Sequence, residues 1–328
     1  MPESRAVAIQ MDPVEFLNII GDSTFALGLE AQRRGYAIYE YPVSGLAWSP
    51  KGVTAPLRPL TLRDEPGNHF TAGAMQRTDL AQMDVVLMRQ DPPFDMSYVG
   101  ATHILEHIHP QTLVVNDPVS VRNAPEKLYT AWFREFMPPT LITAGAQDIR
   151  RFREEHKDIV LKPLYGNGGI GVIRVRSDDE NLSALLDMYA ELYPRQPLQV
   201  QAYLPEVRNG DKRIILVDGT PIGVINRVPQ KGEVRANMHV GGKAEKAQLN
   251  TRDREICEAL GPRLKREGLI FAGIDVIGPY LTEINTTSPT GLRELQRFDG
   301  TDGAALIWDA IESRLGRQPA RPVNPVTD

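Results

Sequence analysis

The stretch LTEINTTSPTG, residues 281–291, carries a carboxylate at Glu283 and a carboxamide at Asn285, two apart and therefore on one face of any strand they share. Alternating polar residues ordinarily mark a solvated face. The upstream sequence changes that reading. LIFAGIDVIGPYLTEIN holds two β-rich runs, 269–277 and 281–285, on either side of Gly278-Pro279, which is the pattern of a hairpin. With Gly278, Pro279 and Tyr280 as a three-residue loop, Ile277 pairs with Leu281, and Asp275 faces Glu283 with Asn285 on the same side; a two-residue loop would separate them. Two carboxylates opposed across a ladder repel unless something positive lies between them. An oxygen-only donor set without histidine or cysteine suits Mg²⁺, which keeps waters and takes substrate phosphates as further ligands, so a nucleotide is expected nearby.

A second feature points the same way. Gly166-Asn167-Gly168-Gly169-Ile170-Gly171 spells the dinucleotide fingerprint G-x-G-x-x-G, but that fingerprint must open a helix, and the VIRVR that follows is β-branched and reads as a strand. A Walker A loop fails because no Gly-Lys-Ser/Thr follows. Strand, glycine loop, strand is instead a flap that lies over phosphates, as in kinases, yet H-R-D and D-F-G are absent and the nearest lysine, Lys162, precedes the loop. Four glycines in six residues are more than a flexible hairpin tip needs, and without Cβ atoms the backbone N–H groups can approach phosphate oxygens.

These groups need a scaffold. Residues 6–12 read as a strand and Ser23 to Gly35 as a helix with Ser23 as N-cap and Gly35 as its stop. DVVLMR (84–89) is a continuous apolar run of the doubly covered parallel type, SYVGATHILEHI is helical, and TLVVN (112–116) is another strand, together an open α/β domain of about 120 residues. Pro125 in NAPEKLYTAWF fits the first turn of a helix. Next come a polar helix (148–157), the strands IVLKPL and GVIRVR around the glycine loop, and the helix NLSALLDMYAELY, a compact α+β unit. From about residue 203, DKRIILVDGTPIGVINRV reads as a hairpin turning at Asp218-Gly219. DREICEALGPRLKREG is an amphipathic helix with Ile256, Leu260 and Leu264 on its apolar side and Gly268 at its end, and TDGAALIWDAIESRL is a further helix. The expected divisions are 1–123, 124–202 and 203–316, followed by a disordered Pro-rich tail at 317–328.

Composition removes other classes. A net charge of −5 over 328 residues, with scattered Lys and Arg, gives no nucleic-acid footprint. No run reaches the about 18 apolar residues that a membrane span needs. The single cysteine, Cys257, excludes an internal disulfide framework and reads as a packing residue, and the N-terminus lacks a signal-peptide core, so a cytoplasmic protein is expected. His103, His107 and His109 are not in H-E-x-x-H order and read as surface or boundary residues.

Taken in order, the segments GDSTFALGLEAQRRG, LMRQDPPFD, NAPEKLYTAWF, LKPLYGNGGIGV, YLPEVRNGDKRIILVDG, RVPQKGEVRANMHVGGKA and GIDVIG...LTEINTTSPTG resemble the ATP-grasp carboxylate-amine ligases, and among them the prokaryotic glutathione synthetases, from Val7 to Leu315. The resemblance implies an ATP-grasp fold behind an N-terminal α/β domain. It also implies a reaction in which ATP phosphorylates γ-glutamylcysteine and glycine attacks the acyl phosphate, giving glutathione, ADP and phosphate.

On that resemblance, Lys127 and Lys162 are the ATP lysines, Gly166, Asn167, Gly168, Gly169, Ile170 and Gly171 cover the phosphates, and Gln201, Ala202, Tyr203 and Leu204 hold adenine. Asp211 lies near the nucleotide, Arg213 and Arg227 near the transferring phosphoryl group, and Asp275, Glu283 and Asn285 bind Mg²⁺, with Mn²⁺ as a substitute. Arg89, Ser288, Pro289, Thr290 and Arg293 serve the dipeptide and the acyl phosphate, with Ser288 near the reaction itself. Residues 229–243 match a mobile loop that shields the intermediate from water, and the relatives suggest a homotetramer. The sequence departs from the family pattern at Gln10, a polar residue in an apolar strand, at Ala202 and at Gly171. Another ATP-grasp ligase joining a different carboxylate and amine would share the phosphate and metal residues. A regulatory module without turnover would be expected to have lost one of them, and the chain keeps them all.

Overall fold

The computed structural model describes residues 5–230, 233, 235, 236 and 241–316, so the expected tail at 317–328 and residues 231, 232, 234 and 237–240 of the expected shielding loop lie outside the described residues. Three sheets organise the chain. The first begins with β1 (Ala6–Gln10), β2 (Ala37–Tyr41), β3 (Ala47–Ser49), β4 (Gly52–Leu62), β5 (Phe70–Ala72), β6 (Gln76–Asp79), β7 (Val85–Met88) and β8 (Leu113–Val115). Strands β2, β1, β7 and β8 are parallel neighbours, and the apolar runs at β7 and β8 are buried throughout, as sheets covered on both faces require. The antiparallel strands β3 to β6 extend this sheet through β4. Strand β4 alternates, with Val53, Ala55, Leu57, Leu60 and Leu62 buried, but Pro56 and Pro59 within it obscure the strand signal.

Helix α1 (Ser23–Arg33) is capped by Asp22, whose carboxylate accepts the Phe25 N–H at 2.6 Å, and Ser23 is its first residue rather than its cap. The reason lies across the molecule, where the Ser23 hydroxyl accepts the backbone N–H groups of Gly291 and Leu292. Gly35 stops the helix at φ +84°, as expected. After α2 (Met96–Glu106) and the short α3 (Pro118–Arg122), the segment at Pro125 forms a turn followed by a 3₁₀ helix, Tyr129–Phe136, instead of the expected α-helix. Its tight turn leaves Glu126 O to accept the backbone N–H of Ile284, so this segment is tied to the third sheet instead of continuing as a helix.

The second sheet is antiparallel in the order β11 (Ile173–Val175), β10 (Ile159–Pro163), β12 (Leu198–Ala202), β9 (Thr140–Thr143), backed by α4 (Ala146–His156) and α5 (Leu182–Leu192). Its core, centred on Ile159, Leu161, Val200, Leu186 and Tyr189, is separate from the rest. The other two cores each mix residues of the first and third sheets. Trp308, fully buried, is one such joint: its indole N–H donates to Leu27 O at 2.9 Å.

The third sheet runs β15 (Lys243–Lys246), β14 (Thr220–Val228), β13 (Asp211–Val217), β16 (Phe271–Ile277), β17 (Tyr280–Asn285), with α6 (Thr251–Arg266), α7 (Leu292–Asp299) and α8 (Gly303–Leu315). Asp218 and Gly219, both at positive φ, close the β13–β14 hairpin in the mirror-image turn their sequence calls for. Cys257 is buried in the core behind α6, and burial pushes its thiol up to about 12. Gln10 is fully buried in β1 with neither amide atom hydrogen-bonded, consistent with its oddity in the sequence. Among the described residues no helix is long and apolar enough to cross a membrane.

Candidate active site

The loop of the β16–β17 hairpin has two residues, Gly278 and Pro279, so Ile277 pairs with Tyr280 and Val276 with Leu281. By the simple count this would set Asp275 opposite Thr282. A bulge between Asp275 and Val276 absorbs Thr282, and Asp275 ends opposite Glu283 after all. Thr282 is the extra residue, and its hydroxyl donates to Asp275 O at 3.1 Å, which satisfies a buried group that the irregular ladder would otherwise strand. The expected juxtaposition is present, by a different route from the three-residue loop.

The same alternation aligns the other charges. Arg213 pairs with Asp275 across β13–β16, Asp211 with Arg227 across β13–β14, and Asn285 with Gly273 across β16–β17. One sheet face therefore carries carboxylates and guanidiniums in alternation. Asp275 accepts two bonds from Arg213, at 2.5 and 2.9 Å, and lies 3.0 Å from Arg227, which also meets Asp211 at 2.5 Å. All four side chains are buried. Burial pushes the Asp275 carboxyl up, but the two guanidiniums outweigh it and hold it well below the usual carboxylate range. Asp211 behaves oppositely: burial, aided by Asp275 and Glu283, outweighs Arg227 and raises it. Gly273 leaves room for this cluster, since a Cβ there would come 3.0 Å from Arg213 Cδ.

Two lysines approach from the other side. Lys127 Nζ and Lys162 Nζ each lie 3.8 Å from Glu283. Lys127 also donates to the Gly166 carbonyl at 2.6 Å and to its neighbour Glu126, whose part in the site no local sequence pattern signals. Burial alone would lower Lys127, but the Glu283 and Glu126 carboxylates hold its ammonium above its ordinary value. Lys162, on β10, is lowered, because burial there exceeds what Glu283 returns. Gly168, Gly169 and Gly171 take positive φ, and the loop's far end is fixed where Tyr189 OH donates to Gly171 O at 2.5 Å.

Two adjoining clefts result. One is lined by Lys127, Lys162, the glycine loop from Gly166 to Ile170, Gln201 to Leu204, Asp211, Asp275 and Glu283, together with Arg235 and Ala236 from the described part of the 229–243 segment. The backbone N–H groups of Ala202 and Tyr203 are engaged by Pro139 O and Asp158 O. The second cleft, of about 400 Å³, is lined by Asp91, Arg213, Arg227, Glu283, Asn285 and the Ser288–Pro289–Thr290 loop. Glu126, Glu283 and the glycine loop border both.

Arg89 and Arg293 line neither cleft. Arg89, buried at the end of β7, donates to Thr24 Oγ1 at 3.0 Å and to Pro289 O at 2.9 Å, which ties the Ser288–Pro289–Thr290 loop to the first sheet. Arg293 forks onto Asp64 at 2.9 and 3.0 Å. Asn116 completes the loop's support, donating to Phe271 O at 2.7 Å and Thr286 O at 2.8 Å and accepting the Phe271 N–H at 2.9 Å. Nothing in the local sequence around Asn116 signals this, because its partners are 155 and 170 residues away.

The donor set for a divalent cation is two carboxylates and a carboxamide, Asp275, Glu283 and Asn285, with Asn285 Nδ2 3.4 Å from Asp275 Oδ2. Such a hard oxygen set fits Mg²⁺. Among the described residues no group of three or more His, Cys, Asp or Glu side chains forms a metal cluster.

Comparison with known proteins agrees with this chemistry. Residues 6–122 match the family described as "Prokaryotic glutathione synthetase, N-terminal domain", and residues 126–300 match "Prokaryotic glutathione synthetase, ATP-grasp domain". The chain is 55% identical over 308 residues to a glutathione synthetase of Brucella melitensis, covering 94% of this chain and 98% of that one. It is 53% identical over 318 residues to one of Agrobacterium fabrum, covering 97% and 99%. Among solved structures it resembles the D-cycloserine synthetase DcsG (TM-score 0.67, 18% identity, 94% of this chain and 99% of that). It also resembles D-alanyl-alanine synthetase A of Vibrio cholerae (TM-score 0.62, 11% identity, 96% and 99%). The last two likenesses speak to the ATP-grasp fold alone.

Proposed function

The chain belongs to the prokaryotic glutathione synthetases, ATP-dependent ligases of the ATP-grasp fold, and from that premise we propose that its paired clefts join γ-glutamylcysteine to glycine through an acyl phosphate. The observation that carries the reading is the row of alternating charges on one sheet face, from Arg227 through Asp211, Arg213 and Asp275 to Glu283, facing Lys127, Lys162 and the glycine loop.

ATP binds in the first cleft, with adenine against Gln201 to Leu204 and the phosphates between the two lysines and the loop Gly166–Gly171. Lys127 and Lys162 neutralise phosphate charge as the γ-phosphoryl group leaves. Asp275, Glu283 and Asn285 would hold Mg²⁺, which when bound neutralises charge on the β- and γ-phosphates. The dipeptide occupies the second cleft with its reacting carboxylate toward Arg213 and Arg227, so that the carboxylate attacks the γ-phosphorus and ADP departs. Ser288 and the backbone through Thr290 orient the acyl phosphate. The glycine amine then attacks the acyl carbon and phosphate leaves. Water must be kept out during the second step, because it would hydrolyse the acyl phosphate unproductively. We further propose that the 124–202 unit acts as a lid over the 203–316 unit, that Arg89 and Arg293 act at the substrate end, and that the enzyme works as a cytoplasmic homotetramer.

The test is phosphate release from Mg²⁺ and ATP with γ-glutamylcysteine, with and without glycine, against other amino acids and carboxylates, using Glu283→Ala as control. Release that needs both substrates and is lost in the control supports the reading. Release with another pair would keep the fold and mechanism but overturn the substrate, and binding without release across the panel would favour a regulatory module.

A further inference from the structure

The glycine loop is held at three points, and one of them lies on the first domain. Lys127 takes the Gly166 carbonyl and Tyr189 takes the Gly171 carbonyl, both from flanking segments of the ligase itself. The third is aromatic. Tyr165, immediately before Gly166, stacks on Phe94 with ring centroids 6.3 Å apart and planes 26° from parallel. Phe94 belongs to the DPPFD segment that follows β7, and it is backed in turn by the buried Tyr98 of α2 at 5.3 Å. Beside this pair a cavity of about 680 Å³ separates the loop from the first domain, lined by Met96, Val99, Pro125, Ile170 and Tyr193 among others. Across that gap Phe94 and Tyr165 make the ring contact.

The placement couples two events. Asp91 and Pro92, two to three residues before Phe94, line the cleft proposed for the dipeptide, while Tyr165 leads into the loop proposed to cover ATP. The second sheet has its own core, so its position over the third depends on such peripheral contacts rather than on a shared interior. We propose that Phe94 and Tyr165 are positioning residues, whose stack seats the glycine loop on the first domain when the loop covers ATP and so transmits the state of the dipeptide segment to the phosphate cover. The proposal rests on the reading that the loop Gly166–Gly171 covers the phosphates. Stacking needs the ring of Tyr165 and not its hydroxyl. Tyr165 is 36% exposed, so trimming it leaves the lid core untouched.

The experiment compares the full chain with Tyr165→Ala, Tyr165→Phe, Phe94→Ala and the double alanine variant. Binding of β,γ-imido-ATP with Mg²⁺ is titrated first, and phosphate released per peptide bond formed is measured second. An aromatic pair is worth about a two- to tenfold change in an equilibrium constant. Each single alanine variant should weaken analogue binding by about that factor and raise phosphate release above one per product, as the intermediate meets water. Tyr165→Phe should match the parent, and the double variant should be no worse than either single. Alanine variants that bind and couple like the parent, losses that multiply in the double variant, or a Tyr165→Phe as impaired as Tyr165→Ala would each overturn the proposal. The binding arm needs no carboxylate or amine substrate, so a parent enzyme that turns out to use a different pair would sink the substrate assignment without touching this one. Unchanged melting temperatures separate either result from misfolding.

Discussion

Replacing Asn116 by alanine tests how the first domain sets the loop beneath the reacting groups. The side chain is 4% exposed and makes three hydrogen bonds, to the N–H and C=O of Phe271 and to the C=O of Thr286, all between 2.7 and 2.9 Å. Truncation removes the amide and leaves an N–H and two carbonyls short of partners. Each stranded buried group costs about 1–3 kcal/mol, and carbonyls that keep a second partner fall at the low end, so about 3–5 kcal/mol is expected. That is a large part of the about 5–15 kcal/mol that holds a domain folded. Asn116→Leu, nearly isosteric, should cost more than Asn116→Ala, because the alanine leaves room for a water to satisfy part of what was lost. Urea unfolding with a fixed m-value measures both. The loop carrying Ser288 loses one of its anchors, so the KM for the dipeptide should rise in Asn116→Ala while analogue binding in the nucleotide cleft stays near the parent. A stability loss under about 1 kcal/mol for both variants would refute the reasoning.

Other outcomes follow from the same structure. Glu283→Gln keeps the shape of the site but removes the charge between Lys127 and Lys162, and phosphate release at saturating Mg²⁺ should fall on the order of a hundredfold or more in a coupled assay. Gly219→Ala should lower stability by roughly 2–4 kcal/mol in a thermal melt, since φ is +80° and the new Cβ would meet Gly261 O at 2.3 Å. The Cys257 thiol, raised by burial from 9.0 to about 12, should resist alkylation until the chain unfolds. Because the folded value lies above the unfolded one, the thiol's contribution to stability is fully present below pH 9 and is lost as pH rises from 9 toward 12. Between pH 9 and 10 the loss is about 1 kcal/mol, and a Cys257→Ala variant should lack that component of the slope.

The sequence made the third sheet legible because its signals are local. The Asp218-Gly219 turn, the β-branched runs and the period-two placement of Asp211, Arg213, Asp275, Glu283 and Asn285 each act over a few residues. The charge row then follows from strand alternation together with the bulge that brings Glu283 opposite Asp275. What escaped were choices decided elsewhere in the chain. Ser23 looked like a helix cap because its type and position fit, yet Asp22 stands one residue earlier and Ser23's hydroxyl is claimed by residues 291 and 292. Residues 47–79 form strands that extend an existing sheet, and the alternation of β4 is obscured by Pro56 and Pro59. Arg89 and Arg293 were expected at the substrate. Their type suits the role proposed for them, and what the sequence does not tell is their position, which Pro289 and Asp64, distant in sequence, fix.

The bulge at Thr282 lets the hairpin keep its two carboxylates opposed with a shorter loop. Residues directly opposite on a ladder share a face, so the residues between Asp275 and Glu283 must be made up of paired positions, the loop and any bulge. A three-residue loop with a regular ladder would meet that rule, and so does the two-residue loop with one bulged residue. These solutions can replace one another over time without disturbing the site. Deleting Thr282 alone would leave the two-residue loop with a regular ladder and the carboxylates still opposed, so a one-residue change is tolerated where it removes the bulge, whereas one within a paired position carries Glu283 away from Asp275.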